Sequence, residues 1–170
     1  MSRPVHQEHK AHAPMHIGCM VITCSDTRTP DTDTSGKLIM HLLKDQGHEV
    51  AAYHLVKDEP AQIKALIEEG ADNPSVQAIL INGGTGISRR DSTFEAVDAM
   101  LEKRLDGFGE IFRYLTYQDI GSPAIMSRAT AGLYRGRIIF STPGSEGAVR
   151  LAMEKLILPE LGHMAREIAK

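Results

Sequence analysis

Short apolar runs that end in polar, glycine-bearing turns restrict this chain's fold more than any other feature. IGCMVITC (17–24) is apolar on both of its alternating faces and only eight residues long, as a strand covered on both sides would be. HEVAAYHLV (48–56), VQAILI (76–81) and RIIFST (137–142) read as further strands. Between them KLIMHLLKDQG repeats Leu38, Ile39, Leu42 and Leu43 at helical spacing, and Gly47 supplies the stop. KDEPAQIKALIEEGAD places Pro60 in the first turn of a helix and Ile63, Leu66 and Ile67 on its inner face. DSTFEAVDAMLEKRL (91–105) follows as a helix that Ser92 or Asp91 could cap. GFGEIFRYLTYQDIG is helical, AIMSRATAGLYRG is ambiguous, and the C-terminal GSEGAVRLAMEKLILPELGHMAREIAK is a long helix that Pro159 should kink or break.

Strand and helix thus alternate with short connections, which predicts an α/β sandwich with a mostly parallel sheet and right-handed crossovers. The 170 residues suffice for one domain, expected over 16–170. Charged residues make up 24% and the net charge is −3, with 5% aromatics and no Trp. That balance disfavours nucleic acid as a partner, and no apolar run approaches membrane-spanning length. Cys19 and Cys24 match no CxxC or zinc spacing and read as reduced, packed thiols of a cytoplasmic protein. Residues 1–15 read as a disordered tail without a signal core. The tail's His6, His9 and His12, with His16 just after it, could meet a metal but are expected to do no chemistry.

In an open α/β sheet ligands sit beyond the carboxyl ends of the strands, and three polar runs fall there: SDTRTPDTDTSG, GGTGISRRD and TPGSEG. Gly83, Gly84 and Gly86 could let backbone N–H groups surround an anion, or could simply form a tight turn. The run is neither a dinucleotide fingerprint nor a Walker loop, since Ser88 and Arg89 stand where a third glycine would and Asp31 precedes Gly36-Lys37. Ser145 can cap the helix after TPG. Asp58 and Asp91 should emerge on one sheet edge, either as helix caps or as the one or two carboxylates that Mg²⁺ commonly takes beside substrate phosphates. Arg89 and Arg90 are surface residues or phosphate contacts. Ser25, Asp26, Asp33, Thr34, Ser35 and Gly36 make the third polar loop, part of which could start the next helix. Three such loops on one edge exceed what capping requires, which points to a ligand site.

The segments LINGGTGISRRD, DTSGK, GFGEIFR, MSRATAG and STPGSEGAVRLAMEKLILPEL resemble the MoaB/MogA family of molybdenum cofactor biosynthesis proteins, over residues 16 to about 168. The pairing of YQDIG with MSRATAG is closer to MoaB. The resemblance implies a three-layer α/β/α sandwich that binds molybdopterin and transfers AMP from Mg-ATP to its terminal phosphate. It implies that Asp58 and Asp91 act around the Mg²⁺ and ATP, and that Gly83, Gly84, Thr85 and Gly86 form the molybdopterin loop. Pro143, Gly144 and Ser145 match a second substrate loop, Ser127 a phosphate contact, and Ser25, Asp26 and Ser35 the N-terminal polar loop. It further implies a homo-oligomer, trimer or hexamer, that could contact other proteins of the same pathway; GFGEIFRYLTY, with Phe112 and Tyr114, carries enough apolar surface to serve as the interface between copies. Where MogA-like chains carry TPxRD, this one has ISRRD, so Ile87 and Ser88 replace a turn-shaping pair. A non-enzymatic molybdopterin carrier of the same fold is the alternative expectation. A nucleotide pyrophosphate enzyme like CinA is a third, disfavoured by the absence of a second C-terminal domain.

Overall fold

The structure, a computed structural model, describes residues 16–170; the expectation for the tail at residues 1–15 lies outside the described residues. The elements run β1 (Gly18–Cys24), α1 (Thr34–Asp45), β2 (Glu49–Val56), α2 (Pro60–Asp72), β3 (Ala78–Asn82) and α3 (Thr93–Asp98). They continue through β4 (Lys103–Arg104), α4 (Asp106–Ile120), a 3₁₀ turn (Ser122–Met126), β5 (Thr130–Tyr134) and β6 (Arg137–Thr142). The chain closes with α5 (Glu146–Ala152), a π turn (Met153–Ile157) and α6 (Leu158–Ile168).

The six strands form one sheet in the order β2-β1-β3-β6-β5-β4. The first four are parallel, whereas β5 is reversed and pairs antiparallel with β6 on one side and with the edge strand β4 on the other. The β5–β6 hairpin turns at Arg135 (φ 45°) and Gly136 (φ 72°), the two positive φ values that a two-residue turn matching strand twist requires.

Alternation along β1 and β3 splits the core into two layers, which is what being apolar on both faces demands. Cys19, Val21 and Leu80 pack on one side with Ile39 and Leu43 of α1, Phe108 and Phe112 of α4, Val149 of α5 and Leu161 of α6. Met20, Ile22, Cys24, Ile79 and Ile81 pack on the other with Ile63 and Ile67 of α2 and Ala96 and Val97 of α3. Side chains such as Ile39 and Leu43 contribute on the order of 1.5–3 kcal/mol each by full burial. The molecule is therefore a three-layer α/β/α sandwich, and among the described residues no helix is long and apolar enough to cross a membrane.

Two expectations need correction. The helix expected over 91–105 is helical only over Thr93–Asp98, because the chain turns at Ala99 and Met100 to reach the sheet edge. There Glu102 N–H donates to Leu133 O and Leu105 N–H to Ala131 O, each at 2.8 Å, and Asp98 pairs with Arg104 across the turn. Phe112, expected on an interface, is fully buried in the core. The break at Pro159 takes a specific form: Leu158 N–H reaches back five residues to Met153 O. A proline cannot continue an α-helical ladder, and the π turn just before it absorbs the mismatch.

Candidate functional site

Strand order decides where a ligand can enter. From β1 the chain crosses to β2 on one side and then to β3 on the other, so the loops after β1 and β3 part company above the sheet. A cavity of about 400 Å³ opens there, within the size range of small-molecule sites. Its polar wall comes from Ser25, Gly83–Gly86, Asp91, and Pro143–Ser145. The lining also includes Ile120 at the end of α4, Pro123 and Met126 of the 3₁₀ turn, and Ser127. The polar loops read from the sequence are thus gathered at one mouth, except for Asp26, Ser35 and Asp58.

The glycine run is bare for reasons within the protein as well as at the cavity. Gly83 and Gly84 have φ of 98° and 61°, a region that disfavours any side chain. A Cβ on Gly83 would stand 2.1 Å from the Cys24 carbonyl oxygen, and one on Gly84 2.1 Å from an Asp58 carboxylate oxygen. One on Gly86 would stand 2.6 Å from Asp91. The two acids thus press against the loop at Gly84 and Gly86. Arg128 holds it from outside, donating from Nε to Thr85 O at 3.0 Å and from Nη2 to Gly86 O at 2.7 Å. Its guanidinium also pairs with Glu95 and lies 4.8 Å from the centre of the Phe94 ring.

The acids have different surroundings. Asp91 lines the cavity, and its Oδ2 accepts from Ser88 N–H at 3.0 Å, so Ser88 helps close the turn in which it stands. Asp58 is buried and does not line the cavity. Its Oδ1 accepts from Ser92 Oγ at 2.8 Å and Thr93 Oγ1 at 3.0 Å, and Ser92 N–H lies 3.2 Å from both carboxylate oxygens. Neither Asp91 nor Ser92 caps α3 with its side chain. The cap is supplied by Asp58, from a loop 34 residues away, and α2, which Asp58 precedes, has no side-chain cap.

Asp26 and Ser35 also stand apart from the cavity lining. Asp26 accepts from Arg90 Nε at 2.5 Å, and Arg90 Nη2 reaches Glu59 at 2.6 Å. The Arg90 guanidinium holds the Asp26 carboxyl below the usual range, and Arg90 is committed to this rim cluster. Ser35 is buried and donates to Gly144 O at 2.8 Å, fixing the loop after β6. Ser145 caps α5 as expected, accepting from Ala148 N–H at 3.3 Å.

Arg28 escaped sequence reasoning although it lies within SDTRTP. It lines the cavity, donating from Nη2 to Gly144 O at 2.7 Å and from Nη1 to Asp33 Oδ1 at 3.1 Å. Asp33 caps α1 through Gly36 N–H at 3.0 Å and accepts from Tyr53 Oη at 2.7 Å. Burial by itself would raise the Asp33 carboxyl, but these donors and Arg28 outweigh it and hold the group below its ordinary value. Its folded pKa being depressed, Asp33 adds stability above the ordinary carboxylate value of about 4, which is lost as pH falls through the folded value. Asp33→Asn should therefore flatten the acid limb of a plot of unfolding free energy against pH. An unchanged limb in urea titrations between about pH 2.5 and 6 would refute this.

Both cysteines are free and buried, on opposite faces of β1. Burial pushes each thiol up to about 12, so neither is a thiolate at neutral pH, even though Cys24 borders the cavity. Among the described residues no group of three or more His, Cys, Asp and Glu side chains is placed to hold a metal ion. Asp91 is the one carboxylate among the described residues that line the cavity.

Comparison with known proteins agrees with this architecture. The family described as "Probable molybdopterin binding domain" matches residues 20–163. Molybdenum cofactor biosynthesis protein B of Bacillus subtilis is 56% identical over 165 residues, covering 96% of this chain and 97% of its own. A crystal structure of a molybdenum cofactor biosynthesis protein B superposes with a TM-score of 0.90 at 51% identity, covering 93% of this chain and 99% of that one. The tungsten cofactor synthesizing protein MoaB of Pyrococcus furiosus gives 0.84 at 33% identity, covering 93% and 100%. The chain belongs to the molybdopterin-binding domain family and, within it, to the MoaB group of molybdenum cofactor biosynthesis proteins.

Proposed function

We propose that the protein acts in molybdenum cofactor biosynthesis by binding molybdopterin in the cavity between the β1, β3 and β6 loops and transferring AMP to it from Mg-ATP. The observation that carries this reading is the combination of apolar and polar lining in one cavity. Ile120, Pro123 and Met126 offer an apolar surface to a flat pterin, while the glycine loop and Ser25, Ser127 and Ser145 offer donors to phosphate.

In the reaction a phosphate oxygen of molybdopterin attacks the α-phosphorus of ATP. A new P–O bond forms, the bond to the bridging oxygen breaks, and pyrophosphate leaves. No enzyme nucleophile is required, so the protein's work is positioning and charge compensation. Loop N–H groups and hydroxyls orient the attacking phosphate. Asp91 would hold Mg²⁺, which supplies charge neutralisation on the triphosphate when bound. Asp58 serves from behind Gly84, fixing the start of α3 and the loop. Equilibrium titration with molybdopterin should give saturable binding that Gly84→Val abolishes; a wild type that does not bind would end this reading.

The same reading includes a homo-oligomer. Ile111, Tyr114 and Tyr117 of α4 are at least half exposed, and Ile125 is 87% exposed. These residues sit next to the wall of the cavity, and so large an apolar face fits a self-association surface. Tyr114→Glu together with Tyr117→Glu should shift sedimentation from trimer or hexamer to monomer. A strictly monomeric wild type at micromolar concentration would contradict it.

A further inference from the structure

We infer that Arg28 is a pre-set cation that receives a phosphate oxygen of the ligand, with Asp33 and Tyr53 as its positioning residues. Arg28 is the sole Lys, Arg or His among the described residues lining the cavity. A phosphate-bearing ligand entering there carries several negative charges, and the Asp91 carboxylate at the β3 loop repels them unless something of opposite sign stands nearby. Arg28 stands on a different loop, the one after β1.

Its geometry suits that task. An arginine carries five N–H donors in a planar fork. Here one Nη1 donor is committed to Asp33 and one Nη2 donor to Gly144 O, so donors remain for a ligand while the plane is fixed at two points. Fixing it in advance lowers the entropic cost of binding. The anchor is itself anchored: Asp33 is fully buried and takes the Tyr53 hydroxyl at 2.7 Å as well as the α1 N–H, so it cannot follow Arg28 outward. The Gly144 contact also ties the cation to the loop after β6, another wall of the cavity.

This inference rests on the reading that the cavity takes phosphate-bearing ligands, and the test separates the two. Molybdopterin, a phosphate-free molybdopterin analogue, Mg-ATP and inorganic pyrophosphate are each titrated calorimetrically into wild type, Arg28→Ala, Arg28→Lys and Tyr53→Phe. Arg28→Ala should weaken at least one phosphate-bearing ligand by about ten- to a hundredfold, the scale of a charge-assisted hydrogen bond, and leave the phosphate-free analogue unchanged. Arg28→Lys should recover only part of the loss, because the fork is gone. Tyr53→Phe should give a smaller loss confined to the same ligand. A loss on molybdopterin places Arg28 at the pterin phosphate, and a loss on Mg-ATP places it at the triphosphate; both support the inference. Equal affinity of Arg28→Ala for every phosphate ligand overturns it, as does an equal loss for the phosphate-free analogue, which would make Arg28 a loop brace. A wild type that binds neither molybdopterin nor Mg-ATP defeats the functional reading instead, and pyrophosphate binding then decides the role of Arg28 alone.

Discussion

Asp91→Asn is expected to lower formation of adenylylated molybdopterin by on the order of a hundredfold or more at saturating Mg-ATP, while molybdopterin still binds. Asn is isosteric and its amide oxygen can still accept from Ser88 N–H, as Asp91 Oδ2 does at 3.0 Å, so the turn should survive. What disappears is the negative charge facing the cavity, which a metal-bound triphosphate needs and a pterin does not. The loss should therefore appear in kcat and in the Mg²⁺ dependence rather than in molybdopterin affinity. Full turnover by Asp91→Asn would remove Asp91 from the chemistry.

Asp58→Ala should instead cost stability first. The substitution strands the Ser92 N–H, the Ser92 hydroxyl and the Thr93 hydroxyl, all of which now point at one carboxylate. Hydrogen bonds to a charged group contribute about 1.5–3 kcal/mol each, but they share one acceptor here and will not add in full. A total near 3 kcal/mol corresponds to a fall in Tm of about 6–12 °C for a chain of this size. The same change leaves a gap beside Gly84, so turnover should fall with it. Asp91→Ala, at a partly exposed turn, should shift Tm far less. If Asp58→Ala unfolded at the wild-type temperature yet lost all activity, Asp58 would act directly on substrate or metal, as the family resemblance implied, rather than through the loop.

The contrast between these acids shows what the sequence could and could not carry. Both were placed on one sheet edge because LVKDEP and SRRDST each follow an apolar run, and β2 and β3 do flank β1. Their division of labour was not legible, since the donors to Asp58 lie 34 and 35 residues further along the chain. Arg28 was passed over for the same reason: its contact with Gly144 spans 116 residues. The strands β1 and β6 were legible nearly to the residue because their apolar faces and bounding turns are local features. By contrast β4 is two residues long and exists only by pairing with β5, so no periodicity announces it. Phe112 was misread because α4 has both an inner and an exposed apolar face, and GFGEIFRYLTY alone does not say which way Phe112 turns.

AMP transfer is tested by incubating the full chain with molybdopterin and Mg-ATP and reading the products by mass spectrometry. Adenylylated molybdopterin and an equal amount of pyrophosphate, formed only with Mg²⁺ and lost in Asp91→Asn, are the predicted result. Tight molybdopterin binding with no adenylylated product would contradict it and identify the protein as a molybdopterin carrier.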